Sequence, residues 1–145
     1  MHATLQKFGY PGTLIKELDH WCVVMRPAQA TLGAVVLIAK SNVTSVAALP
    51  TPAYAELQHA TGIIENGLRK FRSFDKINYL AFMMVDPQVH FHILPRYQAP
   101  QVFDGTTFLD PGWPALPDMK SANPHSPETA QKLHKALVDA FTSAL

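Results

Sequence analysis

At 145 residues the chain has the usual length of one domain, and its 48% hydrophobic content, spread along the sequence, is enough to bury a core. Charged residues amount to 16% with a formal net charge of +1, which excludes a disordered polyelectrolyte and offers no broad basic surface for nucleic acid. A lone cysteine, Cys22, excludes an intramolecular disulfide framework; inside its apolar run it reads as a small buried hydrophobe in a reducing, cytoplasmic setting.

Met1–Pro11 reads as an irregular arm without the apolar stretch of a signal peptide, closed by the turn Tyr10-Pro11-Gly12. Thr13–Leu18 and Trp21–Met25 are strand candidates joined by an Asp19-His20 turn, a hairpin that stops at Arg26-Pro27. Gly33–Ile38 is a third strand, β-branched and apolar, and the longest apolar run, Ala34–Ala39, is far too short to span a membrane. Thr51 is placed to cap a helix with Pro52 in its first turn; Leu57, Ala60, Thr61, Ile64, Leu68 and Phe71 then recur at helical spacing. Its basic end, Arg69, Lys70 and Arg72, suits the helix dipole. Lys76–Met84 and Val89–Tyr97 are strands four and five, paired antiparallel across Asp86-Pro87. Residues 98–123 are rich in Pro and Gly and hold no periodic segment, and Ser126-Pro127-Glu128 opens a last helix with Leu133, Leu137, Ala140 and Phe141 on one face. This order predicts an α+β fold: a mostly antiparallel five-stranded sheet, one main helix and a C-terminal helix. It forms a single domain over 1–145, with a core at about 13–97 and a tail from 98 to 145.

The chemistry is concentrated in Asp86-Pro-Gln88-Val-His90-Phe-His92-Ile-Leu-Pro-Arg96-Tyr97. On a strand, Val89, Phe91 and Ile93 point to one side, and Gln88, His90 and His92 form a row on the other, roughly 6–7 Å apart. A neutral imidazole is a nucleophile toward phosphorus near neutral pH, and a second one beside it can assist a leaving oxygen. Taken alone, His-x-His also fits two exposed imidazoles or a pair of metal ligands, although no Asp, Glu or Cys adjoins it to complete a zinc site.

The wider stretch resembles the signature of the histidine triad family, His-φ-His-φ-His-φ-φ with φ apolar, often followed by Pro-Arg. Gly33-Ala-Val-Val-Leu-Ile-Ala-Lys40 is similar to that family's strand Gly-His-x-Leu-Val-Ile-Pro-Lys, and the element order from Leu14 to Tyr97 follows. The resemblance implies a homodimer of the histidine triad fold that cleaves nucleotides at the α-phosphate. His90 would be the nucleophile that forms a nucleotidyl-histidine, and His92 would contact the phosphate and help the leaving group. The backbone carbonyl of His92 would hold the His90 ring in its reactive tautomer. A substrate such as diadenosine tetraphosphate, or a phosphoramidate or acyl adenylate, fits this reading. No cofactor is required, although a divalent metal can accompany the nucleotide, and neither nucleic acid nor membrane is a partner. The chain departs from the pattern in four places. Gln88 replaces the first triad histidine and cannot shuttle a proton at neutral pH. The loop Met83–Pro87 is short and apolar, Asn42 stands where a histidine follows the Pro-Lys pair, and Arg26 falls where an acidic residue usually holds the ribose.

Asn78 and Arg96 are candidate nucleotide-binding residues: Asn78 sits on the strand beside the triad, and Arg96 can pair with a phosphate or, structurally, with a carboxylate. Trp113 can stack on a base, close the mouth of the site, or pack the tail. His2, His20, His59, His125 and His134 read as surface residues. The rival functions are a nucleotide-binding module without turnover and a metal-binding protein using His90 and His92. For dimerisation, the apolar helix around Leu57–Phe71 and the adjacent sheet edge are the candidate surfaces.

Overall fold

Three helices frame two runs of strands along the computed structural model, which describes residues 2–145, in the order α1 (Ala3–Lys7), β1 (Leu14–Glu17), β2 (Trp21–Met25), β3 (Val35–Ala39), α2 (Thr51–Phe71), β4 (Lys76–Leu80), β5 (His90–Arg96), β6 (Gln101–Phe103), β7 (Thr106–Phe108) and α3 (Pro127–Ser143). Every residue of β2 and β3 is buried, as expected of strands covered on both faces. They lie inside a five-stranded sheet of order β1-β2-β3-β5-β4, whose neighbours all run antiparallel. The expected α+β architecture is present.

One face of this sheet carries the main core. Trp21, Val23, Val35, Leu37 and Ile93 pack there with Ile64 and Leu68 of α2 and with Leu133, Leu137 and Phe141 of α3. The Trp21 indole N–H donates to the Ala53 carbonyl at 2.8 Å, which keeps its one polar atom satisfied inside the core. On the opposite face, Cys22, Val24, Val36 and Ile38 are covered by Leu5 and Phe8 from α1.

The terminal arm is therefore partly helical, a correction to the irregular segment read from sequence. Five residues are too few for a helix to hold in water by itself. Here the His2 ring accepts from the Leu5 N–H at 3.3 Å, and Leu5 and Phe8 bury one side of the turn against the sheet. A second correction concerns 98–123, where β6 and β7 form a hairpin through Asp104-Gly105, with φ of 51° and 70°. That pair of positive φ values is what an Asp-Gly two-residue turn supplies. A third is the start of α2. Pro50 occupies the cap position, and Thr51 is already helical with no side-chain cap. Ser126 does cap α3, accepting from the Thr129 N–H at 3.0 Å.

α3 packs closely on α2 at Gly67. A Cβ built there would stand 2.5 Å from Cδ1 of the buried Phe141 ring, whereas one at Gly62 would meet nothing within 4 Å. Both are interior helix positions, so alanine brings about 1 kcal/mol of helix propensity at each. At Gly67 the overpacking penalty, roughly 1–3 kcal/mol, exceeds that gain. Thermal melts are expected to show G62A raising the melting temperature and G67A lowering it; equal shifts of the two would refute the close contact.

Candidate active site

The pleat of β5 sends Phe91 toward the helices, where its ring lies 6.1 Å from Trp21, and sends His90 and His92 to the other face. There His90 is in register with Ile38 and His92 with Val36. The two imidazoles meet at 5.0 Å between centroids in an edge-to-face arrangement. They are not exposed: His90 is 2% and His92 6% accessible. The Phe8 ring of α1 lies 5.7 Å from His90 and 5.6 Å from His92, and Phe82 stands 5.9 Å from His92 on the other side.

Nδ1 of His90 is 2.7 Å from the Gln88 carbonyl oxygen. A carbonyl only accepts, so Nδ1 carries a proton, and in the neutral ring the lone pair is on Nε2. The resemblance assigned this orienting role to the carbonyl of His92. Here the carbonyl of Gln88 does it, because Gln88 precedes β5 and its carbonyl lies outside the strand's ladder with β3 and β4.

The Gln88 side chain is committed to holding the site together. Its Oε1 accepts from the Thr4 hydroxyl at 2.6 Å and from the Thr4 N–H at 3.3 Å, and its Nε2 donates to Asn42 Oδ1 at 2.9 Å. One amide thus joins α1, the segment after β3 and the entry to β5. Thr4 had no sequence signal that singled it out. Nor did His2, which besides capping α1 reaches the Ala39 carbonyl through Nε2 at 2.6 Å.

Arg96 and Asn78 are brought to each other rather than to the imidazoles. The Arg96 guanidinium is 3% exposed and binds Asp110 side-on, Nε to Oδ2 at 2.7 Å and Nη2 to Oδ1 at 3.0 Å. Its Nη1 donates to Asn78 Oδ1 at 2.6 Å and Nη2 also to the Ala115 carbonyl at 3.0 Å. This fork clamps the segment after β7 to β5, the structural alternative considered for Arg96. Beside it, Lys76, Asn78, Arg96, Trp113 and Leu116 line a cavity of about 610 Å³ on the edge of the sheet. Trp113 thus stands by Arg96 and not over His90. Of the remaining histidines, His134 donates from Nε2 to the Leu14 carbonyl, 2.8 Å away, and packs α3 against β1 rather than sitting free on the surface.

Electrostatically, no carboxylate hydrogen-bonds either imidazole among the described residues, and Asp86 is the acid whose charge reaches His92. Burial pushes the His92 pKa down to about 4, with the Arg26 guanidinium and His90 adding to the effect and Asp86 opposing it. His92 is therefore uncharged at neutral pH and can only hydrogen-bond as a neutral ring; its Nδ1 is buried without a partner among the described residues. Cys22, in the same layer, is held protonated, its thiol pushed up to about 11 chiefly by burial. Among the described residues, no group of three or more His, Cys, Asp or Glu side chains is arranged to hold a metal ion. A metal on His90 and His92 would need its remaining ligands from a substrate or water.

The lowered His92 pKa has a stability consequence. An unfolded histidine takes up its proton near pH 6.5. The folded ring resists until about 4, so between these values the unfolded state binds more protons and stability falls as the pH falls. The amount at stake is on the order of 3 kcal/mol. Urea unfolding of His92→Gln at pH 7 and pH 4.5 is expected to lose less stability on acidification than wild type; an equal loss would show that His92 is not the buried neutral group described.

Neither protein-family models nor curated proteins match this chain in sequence. Solved structures do match in shape. A histidine triad protein from Sinorhizobium meliloti superposes with a TM-score of 0.75 at 20% identity, covering 100% of this chain and 96% of its own. One from Marinobacter aquaeolei also gives 0.75 at 20% identity, with 100% and 97% covered. A hypothetical histidine triad nucleotide-binding protein from Sulfolobus tokodaii gives 0.71 at 15% identity, with 97% and 90% covered. The sheet, the central helix, the C-terminal helix and the strand that carries His90 and His92 together make this the histidine triad fold.

Proposed function

We propose that the protein is a nucleotide hydrolase, or nucleotidyl transferase, that acts at an α-phosphate through His90. The observation that carries this reading is the bond from His90 Nδ1–H to the Gln88 carbonyl, which leaves the Nε2 lone pair as the reactive one. In the first step Nε2 attacks the α-phosphorus and the bond from phosphorus to the leaving oxygen breaks, the leaving phosphate departing with the electron pair. In the second, water adds to the phosphorus, the P–N bond breaks, and the nucleoside monophosphate leaves with His90 restored. With diadenosine tetraphosphate, our first choice of substrate, the products are AMP and ATP. His92 serves as a neutral hydrogen-bond donor to the phosphate rather than as a charged acid. Gln88 contributes its carbonyl to the nucleophile and its amide to the surrounding frame. Asn78 and Arg96, tied to each other, act on a nucleotide only at the far end of the same sheet face, where Trp113 stands.

The near-complete burial of both rings favours a second reading, a nucleotide-binding module without turnover. Intact mass after mixing with diadenosine tetraphosphate or an adenosine phosphoramidate, quenched without acid, separates the two. The hydrolase reading expects an added adenylyl mass on wild type and none on His90→Ala. Binding with neither adduct nor released nucleotide would establish the module instead.

We further propose a homodimer in the cytoplasm. Of the two surfaces considered, the apolar side of α2 is spent on the sheet and α3, through Ala60, Ile64, Gly67 and Leu68. The edge strand β4 and the exposed Phe82, Met84 and Val85 remain. Light scattering on a sizing column is expected to give twice the chain mass; a monomer at all concentrations would refute this assembly.

A further inference from the structure

β2 ends on the same face of the sheet as the imidazoles. Cys22 and Val24 belong to that face, and the ladder continues one residue further, with the Arg26 N–H donating to the Ala34 carbonyl at 3.0 Å. Alternation therefore puts Arg26 on the side of His90 and His92. His92 pairs with Val36, and Val36 with Val24. Arg26 starts two strands over, about 10 Å, and two residues along, about 7 Å. Beside Arg26 in its own row stand the small side chain of Ala34 and then Leu94. The Arg26 guanidinium is close enough to His92 for its charge to disfavour protonation of that ring.

The guanidinium has no carboxylate partner among the described residues. Its Nη1 donates to the Ala28 carbonyl at 2.5 Å, while Nε is buried without an acceptor. Burial lowers its pKa, a cost that a structural arginine normally offsets with an acid, as Arg96 does with Asp110. Instead Arg26 lines a crevice of about 170 Å³ with Lys7, Phe8, Pro27 and Ala28. Lys7 is 3.5 Å from Asp86, which neutralises it in part, so Arg26 supplies the main uncompensated charge. Phe8 forms the wall shared with both imidazoles.

We infer that Arg26 and Lys7 form an anion subsite beside His92 that takes a second phosphate of the ligand, distinct from the one delivered to His90. The inference rests on the nucleotide reading above. The second phosphate has two sources: the polyphosphate chain that leaves on attack, or a phosphate on the ribose. A guanidinium with a free donor edge suits either.

Calorimetric titration of wild type and Arg26→Gln with AMP, ADP, adenosine 3′,5′-bisphosphate and pyrophosphate tests this. One of the two doubly phosphorylated nucleotides is expected to bind wild type about tenfold or more tighter than AMP, and that ratio is expected to fall to near unity in Arg26→Gln. An advantage for ADP places the leaving chain in the subsite; an advantage for the 3′,5′-bisphosphate places the ribose phosphate there. No advantage in wild type, or one that survives Arg26→Gln, overturns the subsite. If no nucleotide binds while pyrophosphate binds in an Arg26-dependent way, the subsite stands and the nucleotide reading falls. Should Arg26→Gln not fold, Lys7→Gln on the exposed end of α1 carries the same comparison, with a partial loss expected.

Discussion

Burying two imidazoles on a central strand is possible here only because each is kept uncharged or hydrogen-bonded, and that requirement organises the rest of the site. His90 donates a hydrogen bond from Nδ1–H to the Gln88 carbonyl, and His92 stays neutral because burial and the nearby guanidinium oppose protonation. A buried imidazolium without an acid beside it would be costly. The cover over them follows: Phe8 supplies an apolar ring that suits neutral imidazoles, and Thr4 and Gln88 fasten α1 in place. The sheet supplies rigidity, with His90 and His92 paired to β3 and His92 also to β4, so the rings are positioned by ladders rather than by loops.

The two arginines on this face show how the same residue type is handled differently. Arg96 is matched by a carboxylate and two carbonyl-type acceptors, and its charge is absorbed into the joint between β5 and the segment after β7. Arg26 is left with one backbone acceptor. Since the chain carries a formal charge of only +1, no general excess of positive charge accounts for it. The asymmetry is local, and it is placed a short reach from His92.

Much of the sheet was readable because strand alternation and burial agree. Trp21–Met25 has the bounds that its composition suggested, and the division of β5 into Phe91 and Ile93 on one side and His90 and His92 on the other needed only the pleat. The Asp104-Gly105 hairpin was not read, because its flanking strands are three residues each and leave almost no periodicity. Nor was α1. Its helix is too short to show in propensity and exists because Leu5, Phe8 and His2 find partners far along the chain, at the sheet and at Ala39. The role of Arg96 depended on Asp110, fourteen residues away in a segment with no regular pattern, and that of Arg26 on the register of three strands. Such pairings are set by tertiary geometry, which spacing along one element does not encode.

Cys22 lies 1% exposed in the layer directly beneath Leu5 and Phe8. It is the only thiol in the chain, and its raised pKa keeps it unreactive while that layer is closed. Alkylation of this one sulfur therefore requires that the cover of Leu5 and Phe8 be displaced. Any opening of the histidine face that uncovers this layer would register at a residue with no part in the chemistry.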